Sequence, residues 1–150
     1  MAGEDTTPTA VHAAIRNRHF ARGVLIALHL NESPIIATAV ESVPANSTHL
    51  IARVVPLAFL QRLMDHIAAM LAPAPNGSPH LEFYLLWALA LLQTHGRGLR
   101  ERPVVFGGPL RSLQRALLGH RETLGKLLES NTFSLEFLGG GAASLHVDTV

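Results

Sequence analysis

At 150 residues the chain is long enough for one domain with a buried core, and its 48% hydrophobic content argues against disorder. A formal net charge of +1 makes no global case for a nucleic-acid or membrane surface. The lack of cysteine excludes disulfides, thiolate zinc sites and a cysteine nucleophile, and fits a reducing compartment.

Aromatics are only 5% of the chain, and an apolar mass dominated by Leu and Ala favours helices over a sheet. Eleven of the twelve basic residues are Arg, which we read with the Ala, Gly and Pro content as coding bias. The opening MAGEDTTPTA is acidic and small, without the pattern of a secretory signal or a transit peptide.

Proline punctuates the chain. Thr7-Pro8, Ser33-Pro34 and Ser78-Pro79 each set an N-capping residue before a proline at the first helical position. The signals predict a first helix pair over about 10–18 and 19–30, broken near His19-Phe20, and a helix over 34–43 ended by Pro44. Another is expected over 47–54. In 56–71, Phe59, Leu60, Leu63, Met64, Ile67 and Leu71 recur at helical spacing.

After a loop at 72–77, Ser78 should cap a helix that Gly96 closes. Its centre, Phe83 to Leu92, is a ten-residue run with no charged side chain. That is far short of the roughly 20 residues needed to cross a bilayer. A helix apolar on every side must be wrapped by protein, either its own helices or a partner's. Residues 97–108 read as a glycine-containing basic connector in which Val104-Val105-Phe106 is the only β-like piece. A leucine-rich helix should fill 109–129, with a short one over 131–138. The expected fold is all-α: roughly seven or eight helices as stacked antiparallel hairpins, loosely solenoid-like. Residues 1–7 should be a flexible acidic N-terminus, 8–138 the helical domain and 139–150 a glycine-rich tail.

Little in the chain suggests chemistry. The nine histidines are scattered, no two of them four apart on one helix face, and none falls in His-Glu-x-x-His. His80-x-Glu82 matches half of a zinc deaminase motif whose cysteines are missing. His95 before Gly96 reads as a favourable donor at the end of its own helix. Glu82 stands alone, and no pair of positioned carboxylates, nucleophile elbow or phosphate-binding loop is present. We therefore expect no catalytic residues, no cofactor and no metal. A small His–Glu enzyme would need a pocket joining His80 or His95 to an acid.

Two features suit binding. Between Arg97 and Lys126 stand seven basic residues against two acids. Arg97, Arg100, Arg102, Arg111 and Arg115 are candidates for contact with RNA or an acidic partner, although a solvated helix face explains the same pattern. Phe83, Tyr84, Trp87 and Leu91 are candidates for a protein interface, if the core does not absorb them.

The stretch HLEFYLLWALALLQTHG, with the preceding loop and the following leucine-rich helix, resembles the helical C-terminal domain of the periodic tryptophan protein family. Ala27 to Glu32, the Val43-Pro44 step, the helix from Phe59 to Leu71, Leu110 to Leu128 and the Ser130-Asn131 turn fit in the same order, so the resemblance covers about residues 8–138. Members are WD-repeat subunits of the UTP-B complex of the small-subunit processome, with tandem β-propellers before this domain.

The resemblance implies a non-catalytic scaffold in the nucleolus. It would associate with helical domains of other UTP-B subunits, near precursor ribosomal RNA, and support 18S pre-rRNA processing. It implies no membrane and no small-molecule substrate. The propellers are absent from this sequence, and Pro103 to Gly108 and the glycine-rich tail depart from the family's more charged segments. The alternative is a stand-alone helical adaptor or homodimerisation module outside ribosome assembly.

Overall fold

The computed structural model describes residues 6–72 and 80–130. Among them are eight α-helices and no strand: α1 (Pro8–Arg16), α2 (Phe20–Leu30), α3 (Ser33–Ser42), α4 (Thr48–Val54), α5 (Leu57–Met70), α6 (Leu81–Arg100), α7 (Pro103–Gly119) and α8 (Arg121–Ser130), with a 3₁₀ turn at Ala45–Ser47 before α4. The fold is all-α, as the periodicity and the absence of β-pattern require.

Local chemistry sets most boundaries. Thr7 caps α1, its Oγ1 accepting the Ala10 amide at 3.1 Å, with Pro8 at the first helical position. α1 ends in a Schellman turn: His19 N–H donates to the Ala14 carbonyl at 2.8 Å and Arg18 N–H to Ile15 at 3.0 Å. Arg18 therefore holds the left-handed position, φ 61°, that glycine usually fills. Asn31 closes α2 in the same conformation, φ 57°, where asparagine is well tolerated. Ser33 does not cap α3. It lies inside the first turn, with Glu32 at the capping position and no side-chain cap bond. The Ser78 cap expected for α6 and the helix expected over 131–138 lie outside the described residues.

Two expectations about the second half are corrected. Gly96 does not close α6, which runs on to Arg100. The apolar face continues through it, since Leu92, Gly96 and Leu99 are all buried at successive helical steps, and that burial outweighs the roughly 1 kcal/mol that an interior glycine costs a helix. Residues 103–108 are neither connector nor β-piece but the first turns of α7, started by Pro103 and carrying Pro109 inside the helix. Phe106, Leu113 and Leu117 form its buried face. The long helix expected over 109–129 is divided at Gly119-His120 into α7 and α8.

α6 occupies the centre and touches α4, α5, α7 and α8, while α1, α2 and α3 pack on one another and reach the rest through α5, through contact of α2 with α4 and through the Glu41–Tyr84 bond from α3 to α6. Of the run Phe83 to Leu92, every residue but Phe83 and Leu86 is buried. The chain's own helices wrap the rod. Tyr84, Trp87 and Leu91 are fully enclosed. The Trp87 indole N–H is the one buried side-chain polar group among the described residues without a hydrogen-bond partner.

Candidate partner-docking site

Two histidines and one arginine hold helix ends belonging to other helices. Arg62, on α5, donates to the Leu28 carbonyl at 2.8 Å in the last turn of α2. His95 Nε2, on α6, lies 2.7 Å from the Ala52 carbonyl in the last turn of α4. His120 Nε2, after α7, lies 2.6 Å from the carbonyl of Leu71 at the end of α5. Each satisfies an acceptor that a helix C-terminus leaves open. His95 thus serves the end of α4 and sits within its own helix rather than at its end.

Glu41, Tyr84 and His66 form a second polar network. The Tyr84 hydroxyl donates to Glu41 Oε2 at 2.7 Å, and His66 Nε2 lies 3.3 Å from the same hydroxyl. Burial, then the hydrogen bond and charge of Glu41, hold the Tyr84 phenol far above its usual range, so it remains a neutral donor. Burial pushes His66 down, opposed by the Glu41 carboxylate. His80 Nε2 stands 3.7 Å from Glu41 Oε1, both side chains partly in water, so this contact adds little.

Of the His–acid pairs that an enzyme reading required, the one that forms among the described residues is His80 with Glu41, and it lies partly in water rather than in an enclosed pocket. His80 approaches Glu41 rather than Glu82, and His95 is taken by Ala52. Among the described residues, no group of three His, Asp or Glu side chains is placed to hold a metal.

What remains open is an end of the bundle. α5 and α7 pack along each other, and His120 pins their C-terminal ends together. They run in the same direction, which brings their N-terminal ends to the opposite side. There Leu57 opens α5 directly after Val54 closes α4, and Val104 and Val105 open α7 directly after α6 ends. Among the described residues the large exposed apolar side chains are Val104 at 96%, Val54 at 52%, Val105 at 49% and Leu57 at 40%, with Leu50, one turn before Val54 on α4, at 50%. Arg53, Arg97, Arg100 and Arg102 are exposed in the same segments, with Glu101 exposed among them.

Of the residues that the sequence offered for an interface, Tyr84, Trp87 and Leu91 build this chain's own core, and Phe83 is half-buried against it. The arginine candidates separate. Arg97 and Arg100 lie in the last turn of α6, where cations favour the helix dipole. Arg102 donates to the Gly98 carbonyl at 3.3 Å. Arg111 and Arg115 are exposed further along α7. The apolar end was missed because Val104-Val105 read as a strand fragment. The steps from Phe106 to Leu110, Leu113 and Leu117 were the signal that the helix starts earlier.

A rod enclosed by its own bundle, two histidines committed to helix ends and exposed apolar residues beside exposed arginines define an all-α helical domain. Comparison with known proteins gives the family. The model of the Dip2/Utp12 family matches residues 31–140, and the chain belongs to that family.

The chain is 32% identical over 132 residues to Periodic tryptophan protein 2 homolog of Mus musculus, covering 88% of this chain and 14% of that protein. It is 31% identical over 134 residues to Periodic tryptophan protein 2 of Arabidopsis thaliana (89% and 14%). With Periodic tryptophan protein 2 of Saccharomyces cerevisiae it shares 28% identity over 134 residues (89% and 14%). The chain thus spans about a seventh of the length of these relatives.

Proposed function

We propose that this domain is a non-catalytic assembly module of ribosome biogenesis. It docks onto helical domains of other WD-repeat subunits of UTP-B, within the small-subunit processome, and supports 18S pre-rRNA processing in the nucleolus. The observation that carries the reading is the exposed apolar end formed by Val54, Leu57, Val104 and Val105. An apolar centre with a cationic rim has the anatomy of a protein interface, and the core needs none of these residues for its own closure. Family membership supports the setting. Phe83, half-exposed on α6, is the one original interface candidate still able to meet a partner.

The test is capture of UTP-B helical domains by the wild-type chain and by V54D/V104D. Surface changes of this kind shift stability by no more than about 0.5 kcal/mol each, so the double variant should fold as the wild type does and lose partner capture. Capture unchanged by the substitutions defeats the docking site. Light scattering on the chain alone checks the alternative of a homodimer, which predicts twice the monomer mass for the wild type and the monomer mass for the variant.

A further inference from the structure

A second cationic stretch lies on α1 and α2. From Thr6 to Asn31 there is no carboxylate, while Arg16, Arg18 and Arg22 fall within seven residues. All three are exposed, as are His12 and His19. A cleft of about 440 Å³ between the two helices is lined by Thr7, Thr9, Asn17, His19 and Arg22 among small alanines. Its polar lining is rich in donors. Thr7 Oγ1 already accepts from Ala10, which leaves its hydroxyl hydrogen to give away.

Arg18 adds an independent observation. The Schellman turn that ends α1 needs a left-handed residue, and glycine would fit without strain, yet the position carries a long cation at φ 61°. An outlier of this kind points from strain to use: the left-handed turn carries an exposed cation two positions after the exposed Arg16, at the end of α1 and outside the lining of the cleft itself.

We propose that this α1–α2 corner is a phosphate-binding surface for an RNA strand, separate from the docking end. An acidic protein fits the corner less well. None of the large exposed apolar residues among the described ones lies on α1 or α2, whereas a protein interface needs an apolar centre. Guanidiniums and hydroxyls without such a centre match a phosphate backbone. The proposal does not depend on the docking reading, because the two surfaces share no residue.

The test uses fluorescence anisotropy of a labelled 20-nucleotide oligouridylate against the full chain over a series of salt concentrations, with a labelled polyglutamate of equal length as the second arm. The variant is R16Q/R18G. Arg18→Gly puts the preferred residue into the left-handed position, so the melting temperature holds or rises while the charge goes.

Each lost phosphate contact should lower the log–log salt slope by about 0.7 for a single strand. Two contacts remove about 1.4 from the slope and weaken RNA binding on the order of 20-fold at 0.1 M salt. R16Q/R18G should still capture UTP-B helical domains, so a failure here is told apart from a failure of the docking end. An unchanged slope in the variant, no RNA binding by the wild type, or tighter binding of polyglutamate than of RNA overturns the proposal.

Discussion

The Tyr84 hydroxyl reaches Glu41 Oε2 across 2.7 Å and so ties α3 to the central helix α6. Tyr84 is fully buried, whereas the Glu41 side chain keeps about a third of its exposure. The bond is therefore charge-assisted but partly open to water. Tyr84→Phe keeps the ring's packing and removes the donor, which should cost about 1–2 kcal/mol in urea denaturation, the lower part of the range for bonds to charged groups. Glu41→Ala should cost a similar amount. The double variant should cost clearly less than the sum, because both substitutions break one bond. Additive losses would mean that the contact carries no energy of its own.

His66 makes stability depend on pH. Burial lowers its proton affinity in the folded chain below the usual value of 6.5, against the pull of Glu41 from α3, while the neutral Tyr84 hydroxyl faces it from α6. In the window just below 6.5 the unfolded chain binds more protons than the native one, so stability falls as pH drops. The slope contributed by one group cannot exceed about 1.4 kcal/mol per pH unit. Asp65, on the same helix, works in the opposite sense, since burial raises it from 3.8, but its window opens upward from that value. Denaturation of wild type and His66→Gln between about pH 5.5 and 7.5 should show a shallower acid limb in the variant. Identical limbs would remove His66 from the account.

These polar ties also mark where the sequence was readable and where it was not. The core face of α5 followed from Leu60, Leu63, Met64 and Ile67, and the enclosed rod of α6 from an unbroken apolar run, because burial imposes a period that local sequence records. The end of α6 and the start of α7 were misplaced. Gly96 and the Pro103–Gly108 stretch break helices by intrinsic propensity, and only packing that spans the whole fold overrides it. The use of His95 and His120 as caps for other helices was equally hidden. Each pairs with a carbonyl more than 40 positions away, and no local pattern encodes such a partner. The open apolar end required knowing that α5 and α7 run in the same direction.

His95 gives the sharpest test of the capping pattern. α4 is only seven residues long, and the Ala52 carbonyl in its last turn meets the His95 imidazole at 2.7 Å while accepting the Val55 N–H only at 3.4 Å. His95→Ala should cost about 1 kcal/mol. The loss should be local, with amide exchange in α4 faster by about fivefold while α1 and α2 keep their protection. Exchange measured residue by residue decides it. Uniform acceleration over all helices would mean that His95 supports the core as a whole rather than one helix end.

Pro109 sits inside α7 and deprives the Val105 carbonyl of its usual donor. Val105 lies at the exposed end, so water takes up part of the loss. Gly108 just before it has nothing within 4 Å of where a Cβ would stand, leaving its chain neighbours aside. The neighbour is the point, because a side chain preceding proline clashes with the proline ring in helical conformation. Gly108 therefore permits the helix to pass through Pro109. Pro109→Ala alone should stabilise the chain by about 1–2 kcal/mol, the interior-proline cost less what hydration and the stiffer unfolded chain return. Gly108→Ala should gain nothing while Pro109 remains, yet add up to about 1 kcal/mol once it is gone. A thermal-denaturation cycle over the two single variants and the double one measures that coupling, and strict additivity would show that the glycine is not there for the proline.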